Sequence, residues 1–180
     1  VLRFCLALML VLAAVHRLRP GDRQPRKLPH RTLALLGFTG VSLYFGFQNL
    51  GLARTSASDA GLIAGSVPAV TAALSALILR ERVTALRVLG IGASMAGVSV
   101  VILAGAGGGA GGSLVGDLLV LASAFAWAFY TLLNKGTGGR MPESTLLAYT
   151  MAFGTLFLLP PAGIEIAFGG FGPISPVAWL

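Results

Sequence analysis

The chain has 180 residues, 56% of them hydrophobic and only 11% charged, with a mean hydropathy of +0.86. Soluble domains carry about 25% charged residues, so this chain has too little charge to cover a water-facing surface. Its net charge of +7 suggests nucleic acid only until the basic residues are located: they cluster in short segments between apolar runs, and nucleic acid is not expected as a partner.

The apolar residues come in continuous runs and not in period-2 alternation, which indicates membrane-crossing helices and not a barrel. Segment one runs from Val1 to Val15. Arg3, the apolar stretch and Ala13-Ala14 also fit the pattern of a signal peptide. Cys5, the only cysteine, can form no internal disulfide. A basic loop, residues 16–31, follows, and Pro20, Pro25 and Pro29 prevent a long helix there.

Segment two, Thr32 to Leu52, holds Gly37, Gly40, Gly46 and the polar pair Gln48-Asn49. Segment three spans Ala60 to Leu79, enough residues to cross a bilayer at roughly 20 per 30 Å. Small polar residues introduce it, Pro68 interrupts it and Arg80-Glu81-Arg82 ends it. Segment four is Ala85 to Ala104, and a Gly-rich stretch, 105–113, leads out of it. That stretch lacks the Gly-Lys-Ser/Thr of a phosphate loop and reads as a linker. Segment five runs from Leu114 to Asn134, and segment six from after Ser144 to Leu159. Pro160-Pro161 is expected to kink or end it, with Gly163 to Pro173 interfacial or loop. Ile174 opens a further apolar stretch.

If each segment crosses once, loops 16–31, 80–87 and 135–143 share a side. That side carries Arg17, Arg19, Arg23, Arg26, Lys27, Arg31, Arg80, Arg82, Arg87, Lys135 and Arg140, which is 11 of the 13 basic residues. The asymmetry makes this side cytoplasmic and also supports the segment count.

Catalytic groups are scarce. Both histidines, His16 and His30, lie in the first loop, and no His/Cys/carboxylate cluster has metal-ligand spacing. Ser66 has no base beside it in the sequence. No cofactor is expected, and an enzyme is not the expected reading. Gly61/Gly65 and Ala93/Gly97, each four apart, read as helix-packing positions. Pro68 is either a tolerated kink or a hinge in a broken helix. Polar residues in spans should face a cavity, another helix or the interface, which makes Gln48 and Ser66 pathway candidates together with the aromatics Tyr44, Trp127 and Tyr130. Trp127 and Tyr130, three apart, share a helix face and could line a cavity or pack helices. Asp59 and Asp117 open their spans and read as interfacial.

The order of motifs from Tyr44 to Gly97 resembles the EamA-type domain of the drug/metabolite transporter superfamily. The matching features are Thr55-Ser56-Ala57 entering a span, Pro68 within it, the turn from Leu79 to Thr84 with Glu81, and Leu89-Gly90-Ile91-Gly92 with Gly97-Val98. Gly116-Asp117-Leu118-Leu119 with Ala126 to Tyr130 resembles the opening helix of a second copy, and Arg3-Phe4 the second helix of the first. The resemblance implies a ten-span transporter of two inverted five-helix repeats. Residues 1–104 would be the first repeat without its first helix, and 114–180 the start of the second. The fold class expected is thus an all-α polytopic membrane bundle with about six spans, a fragment of a larger chain that exports a small metabolite or amino-acid-like compound across the inner membrane. Partners would be the lipid bilayer, a small-molecule substrate and, in some assemblies, further copies of the chain. Glu81 would fix the cytoplasmic turn by pairing with Arg80, Arg82 or Arg87. A non-transporting scaffold and a membrane enzyme with catalytic groups elsewhere are the alternatives.

Overall fold

A computed structural model describes residues 9, 28–80, 84–106 and 113–169. Segment one apart from Met9, the Glu81 turn, most of the linker and the stretch beginning at Ile174 lie outside the described residues. The described residues form no strand and contain five helices long and apolar enough to cross a membrane. We label them α1 (His30–Leu52), α2 (Ala57–Ile78), α3 (Ala85–Ala106), α4 (Leu114–Gly136) and α5 (Glu143–Gly169).

Their ends follow from local chemistry. At the start of α2, the Asp59 N–H donates to Ser56 Oγ (3.0 Å) and satisfies one of the free donors of the first turn. Ser113 does the same for α4, accepting from the Gly116 N–H at 3.1 Å. Between α4 and α5 the chain reverses through Gly138 and Gly139, at φ +60° and +66°, a conformation that costs glycine nothing. Residues 105–106 of the expected linker extend α3.

One helix departs from expectation. Instead of ending at Pro160-Pro161, α5 continues to Gly169 with both prolines inside it. Proline fixes φ near its helical value and removes only its own N–H, and an apolar surrounding offers an unwound backbone no water.

The helices pack in a simple order. α5 lies on α1, α1 lies on α4, and α4 also packs against α2 and α3. Glycines set these contacts. A Cβ at Gly37 would stand 2.7 Å from the Gly154 nitrogen, and one at Gly51 would stand 2.9 Å from the Gly116 carbonyl. The Gly116 position is filled in turn by the Arg54-Thr55 backbone of the α1–α2 turn. Close approach of this kind is what small residues allow in membrane bundles. The glycines singled out by spacing behave otherwise: a Cβ on Gly61 or Gly97 would meet nothing within 4 Å among the described residues, and one on Gly65 would meet only its own helix. Packing positions are thus set by neighbours, which a four-residue spacing within one helix cannot specify.

Two apolar clusters hold α2 and α3 to α4. Ala60, Ile63, Val98 and Val120 form one, and Val70, Ala124 and Ala128 form the other. A third, with Leu33, Leu36, Met141 and Leu146, ties α1 to the start of α5. α3 buries least, and Leu86, Val88, Leu89, Val100 and Leu103 stand exposed on it.

Candidate functional site

Two irregular stretches shape the site. In α1, residues Phe38–Leu43 form a π-helical segment, a wider turn that often marks a functional position. Gly40 lies in it, and the Tyr130 ring of α4 rests against its backbone: a Cβ there would stand 2.5 Å from the ring. In α2, regular helix covers Ala57–Ala64 and Val67–Ile78, with a tight turn at Gly65 and Ser66 between them. Pro68 sits in the first turn of the second half. Lacking an N–H, it leaves the Ala64 carbonyl without its usual donor, which accounts for the break just ahead of it.

The aromatic residues come together. Tyr44 and Trp127 have ring centroids 5.0 Å apart at 51°, and Trp127 and Tyr130 lie 5.2 Å apart at 47°. These are tilted contacts within the favoured range for aromatic pairs. The three rings join α1 to α4. Trp127 also faces a cavity of about 320 Å³ lined by Val67, Pro68, Thr71, Ala72 and Ser75 of α2, Arg87 of α3, and Thr131 and Lys135 of α4. Two helical stripes face each other across it, residues 67, 71 and 75 on α2 and 127, 131 and 135 on α4, each at spacing four. Lys135 Nζ closes one end by donating to Ser75 Oγ at 3.1 Å. Tyr130 lines a second cavity, about 440 Å³, with Asn134, Glu143, Ser144, Leu146 and Leu147.

The remaining sequence-derived candidates lie apart from the first cavity. Ser66 is buried and donates to the Ile63 carbonyl at 2.6 Å, and Gln48 lies one turn beyond Tyr44 on the same face of α1. The Gln48 side-chain carbonyl is buried with no hydrogen-bond partner among the described residues. Glu81 is outside the described residues.

Sequence reasoning missed Thr71, Ser75, Arg87, Thr131 and Lys135. Lys135 was read only as a topology marker, and Arg87 as that or as a partner for Glu81. The pairs Thr71/Ser75 and Thr131/Lys135, each four apart near the ends of otherwise apolar spans, are the signal that could have found them.

Asp117, in the first turn of α4, is fully buried and accepts a short hydrogen bond from the Thr55 hydroxyl of the α1–α2 turn through Oδ1. Its Oδ2 has no hydrogen-bond partner among the described residues. Gly116 is the reason: without a side chain there, the turn settles onto α4 and covers its neighbour. Among the described residues no group of His, Cys, Asp and Glu could hold a metal ion.

Five helices long and apolar enough to cross a membrane, three of which line a partly polar cavity, mark a multi-pass membrane protein. Residues 1–103 and 114–180 match the EamA-like transporter family, and the chain belongs to that family. It is 34% identical over 154 residues to an uncharacterized transporter, YvbV, of Bacillus subtilis, covering 86% of this chain and 48% of that protein. An uncharacterized transporter of Archaeoglobus fulgidus is 33% identical over 159 residues, with 88% of this chain and 54% of that protein covered. A probable terminal-alkyne amino-acid exporter of Streptantibioticus cattleyicolor is 31% identical over 140 residues, 78% of this chain and 46% of that protein. The chain spans about half the length of these relatives. No solved structure matches it.

Proposed function

We propose that this chain forms part of an EamA-type secondary transporter that exports a small metabolite or amino-acid-like compound by alternating access, and that it is not an enzyme. The observation that carries the reading is the cavity between α2, α3 and α4, whose wall shares Trp127 with the Tyr44–Trp127–Tyr130 stack. Substrate pathways in inverted-repeat transporters lie near broken helices at a repeat interface, and Pro68, beside the break in α2, lines this cavity. The chain up to residue 104 and the chain from 114 would belong to two five-helix repeats that rock against each other, with the linker between them. In this reading the basic loops 16–31, 80–87 and 135–143 face the cytoplasm, the membrane is the inner membrane, and Tyr44, Gln48, Ser66, Trp127 and Tyr130 follow the pathway. The name of the amino-acid exporter relative supports the substrate class.

The test is efflux from proteoliposomes holding the full-length protein, over a broad panel of metabolites. Flux above empty vesicles is expected for at least one compound, and Trp127→Ala should lower it about tenfold per folded protein, beyond the fall in unfolding midpoint that loss of the Tyr44 and Tyr130 contacts brings. Absence of flux across the panel overturns the transporter reading, and flux untouched in Trp127→Ala removes this cavity from the pathway.

A further inference from the structure

We propose that the cavity between α4 and α5 is a subsite for a primary ammonium group, with Glu143 as its counter-charge. The inference rests on the transporter reading for its role and names one end of the molecule to be carried. The cavity, of about 440 Å³, lies beside the α4–α5 turn and is lined by Tyr130, Asn134, Glu143, Ser144, Leu146 and Leu147. Spaces of this size hold small molecules. Among the described residues Glu143 is the one charged side chain on the wall, so no cation there cancels it. The side chains of Asn134, Glu143 and Ser144 also make no hydrogen bond or ion pair with another described residue.

The chemistry of these groups selects the ligand. A carboxylate only accepts hydrogen bonds, an amide carbonyl accepts, and a hydroxyl can accept as well as donate. Three acceptors around one space match the three protons of an ammonium group, and the negative charge disfavours a ligand carboxylate. Tyr130 adds an aromatic ring, whose face attracts a cation, and Leu146 and Leu147 add apolar surface for the rest of the molecule. Tyr130 also connects this cavity to the pathway. Its ring lies 5.2 Å from that of Trp127, which lines the cavity between α2, α3 and α4. In the orientation proposed above, the α4–α5 turn is cytoplasmic, so Glu143 stands where an exporter takes up its load. The loops of that side are basic and repel cations, and a carboxylate within a cavity offsets that repulsion for a protonated amine.

Titration calorimetry on the full-length protein in detergent, near neutral pH, tests this with phenethylamine, its N,N,N-trimethyl derivative, 2-phenylethanol and 3-phenylpropionate. The four share an aromatic body and differ at the polar end. Phenethylamine should bind at least about tenfold more tightly than the alcohol, the order expected for a charge-assisted hydrogen bond. It should also bind more tightly than the trimethylated amine, which keeps the charge and loses the protons. Glu143→Gln should abolish the preference for the amine while the alcohol binds as before, which shows the fold intact. Glu143→Asp should retain part of the preference, and Asp59→Asn, which removes a carboxylate at the start of α2 outside the cavity, should leave it whole. Leu147→Cys locates the ligand, in a Cys5→Ser background with any cysteine elsewhere in the full reading frame removed. Phenethylamine should slow its reaction with a maleimide, and adding Glu143→Gln should remove that protection. Amine binding no tighter than that of the alcohol, the trimethylated amine or the acid overturns the subsite. So does a preference that survives Glu143→Gln, or labelling at Leu147→Cys that the amine does not slow. Flux of compounds without an amine would then leave the transporter reading standing, whereas amine binding without flux of any compound keeps the subsite and removes that reading.

Discussion

Gly40 and Asp117 show how much rests on single residues. The Tyr130 ring fills the space where a Gly40 side chain would begin, so Gly40→Ala must move the ring away from Trp127 or push α1 off α4. Overpacking of this kind costs about 1–3 kcal/mol, and the unfolding midpoint in detergent should fall accordingly, whereas Gly61→Ala, whose added Cβ meets nothing within 4 Å among the described residues, should change it far less. Among the described residues, Asp117 is the acceptor for the Thr55 hydroxyl. Asp117→Ala strands that hydroxyl in a half-buried place, at a cost of about 1–3 kcal/mol. Asp117→Asn keeps an acceptor and should cost less by the same measurement. Neither role was legible in the sequence, where Gly40 is one of 25 glycines and Asp117 reads as a polar residue opening a span. Both depend on what another helix brings to within 3 Å, and that is not written in local periodicity.

At the scale of the helix the sequence is far more informative. Continuous apolar runs bounded by Arg80, Ser113, Lys135 and Glu143 place α2 to α5 within a few residues of their observed ends at all but one terminus. The exception, the continuation of α5 past Pro160-Pro161, arises because proline is judged by its lost hydrogen bond, while an apolar surrounding makes an unwound chain costlier still. The break in α2 has a consequence that can be measured. Pro68→Ala restores an N–H that can reach the Ala64 carbonyl and straighten the helix. Because Pro68 already occupies a first-turn position where proline fits well, stability should change by less than about 1 kcal/mol. If α2 must flex during transport, flux should fall severalfold at unchanged stability; equal flux would show that the proline only accommodates packing.

For the whole molecule, charge asymmetry makes the most direct prediction. Cys5 is the only cysteine, so Cys5→Ser supplies a background for single-cysteine labelling in intact cells, with any cysteine elsewhere in the full reading frame removed as well. A cysteine at Gly139, in the α4–α5 turn, should resist a membrane-impermeant maleimide, and one at Arg54, in the α1–α2 turn, should react. The reverse pattern would invert the topology. The cavity illustrates the limit of sequence reading at this scale. Trp127 was singled out from its helix face, but Arg87 and Lys135 counted as two more loop charges because their common cavity exists only once α2, α3 and α4 are packed.

The π-helical segment of α1 bears on how the family tolerates changes in length. A π turn carries one residue more than an α turn for a similar rise, so it absorbs an extra residue that would otherwise rotate everything after it by about 100°. Leu33 and Leu36 before the segment and Gly51 after it are all buried against different neighbours, and only the wider turn lets both faces stay in register. Removing Thr39 from within the segment should leave an ordinary α-helix with both faces still aligned and a protein that inserts and folds. Removing Phe47, a residue of the regular helix, should turn Gly51 away from Val120 and reduce the yield of folded protein in membranes. Such a segment is a place where a chain can gain or lose one residue without rebuilding its partners.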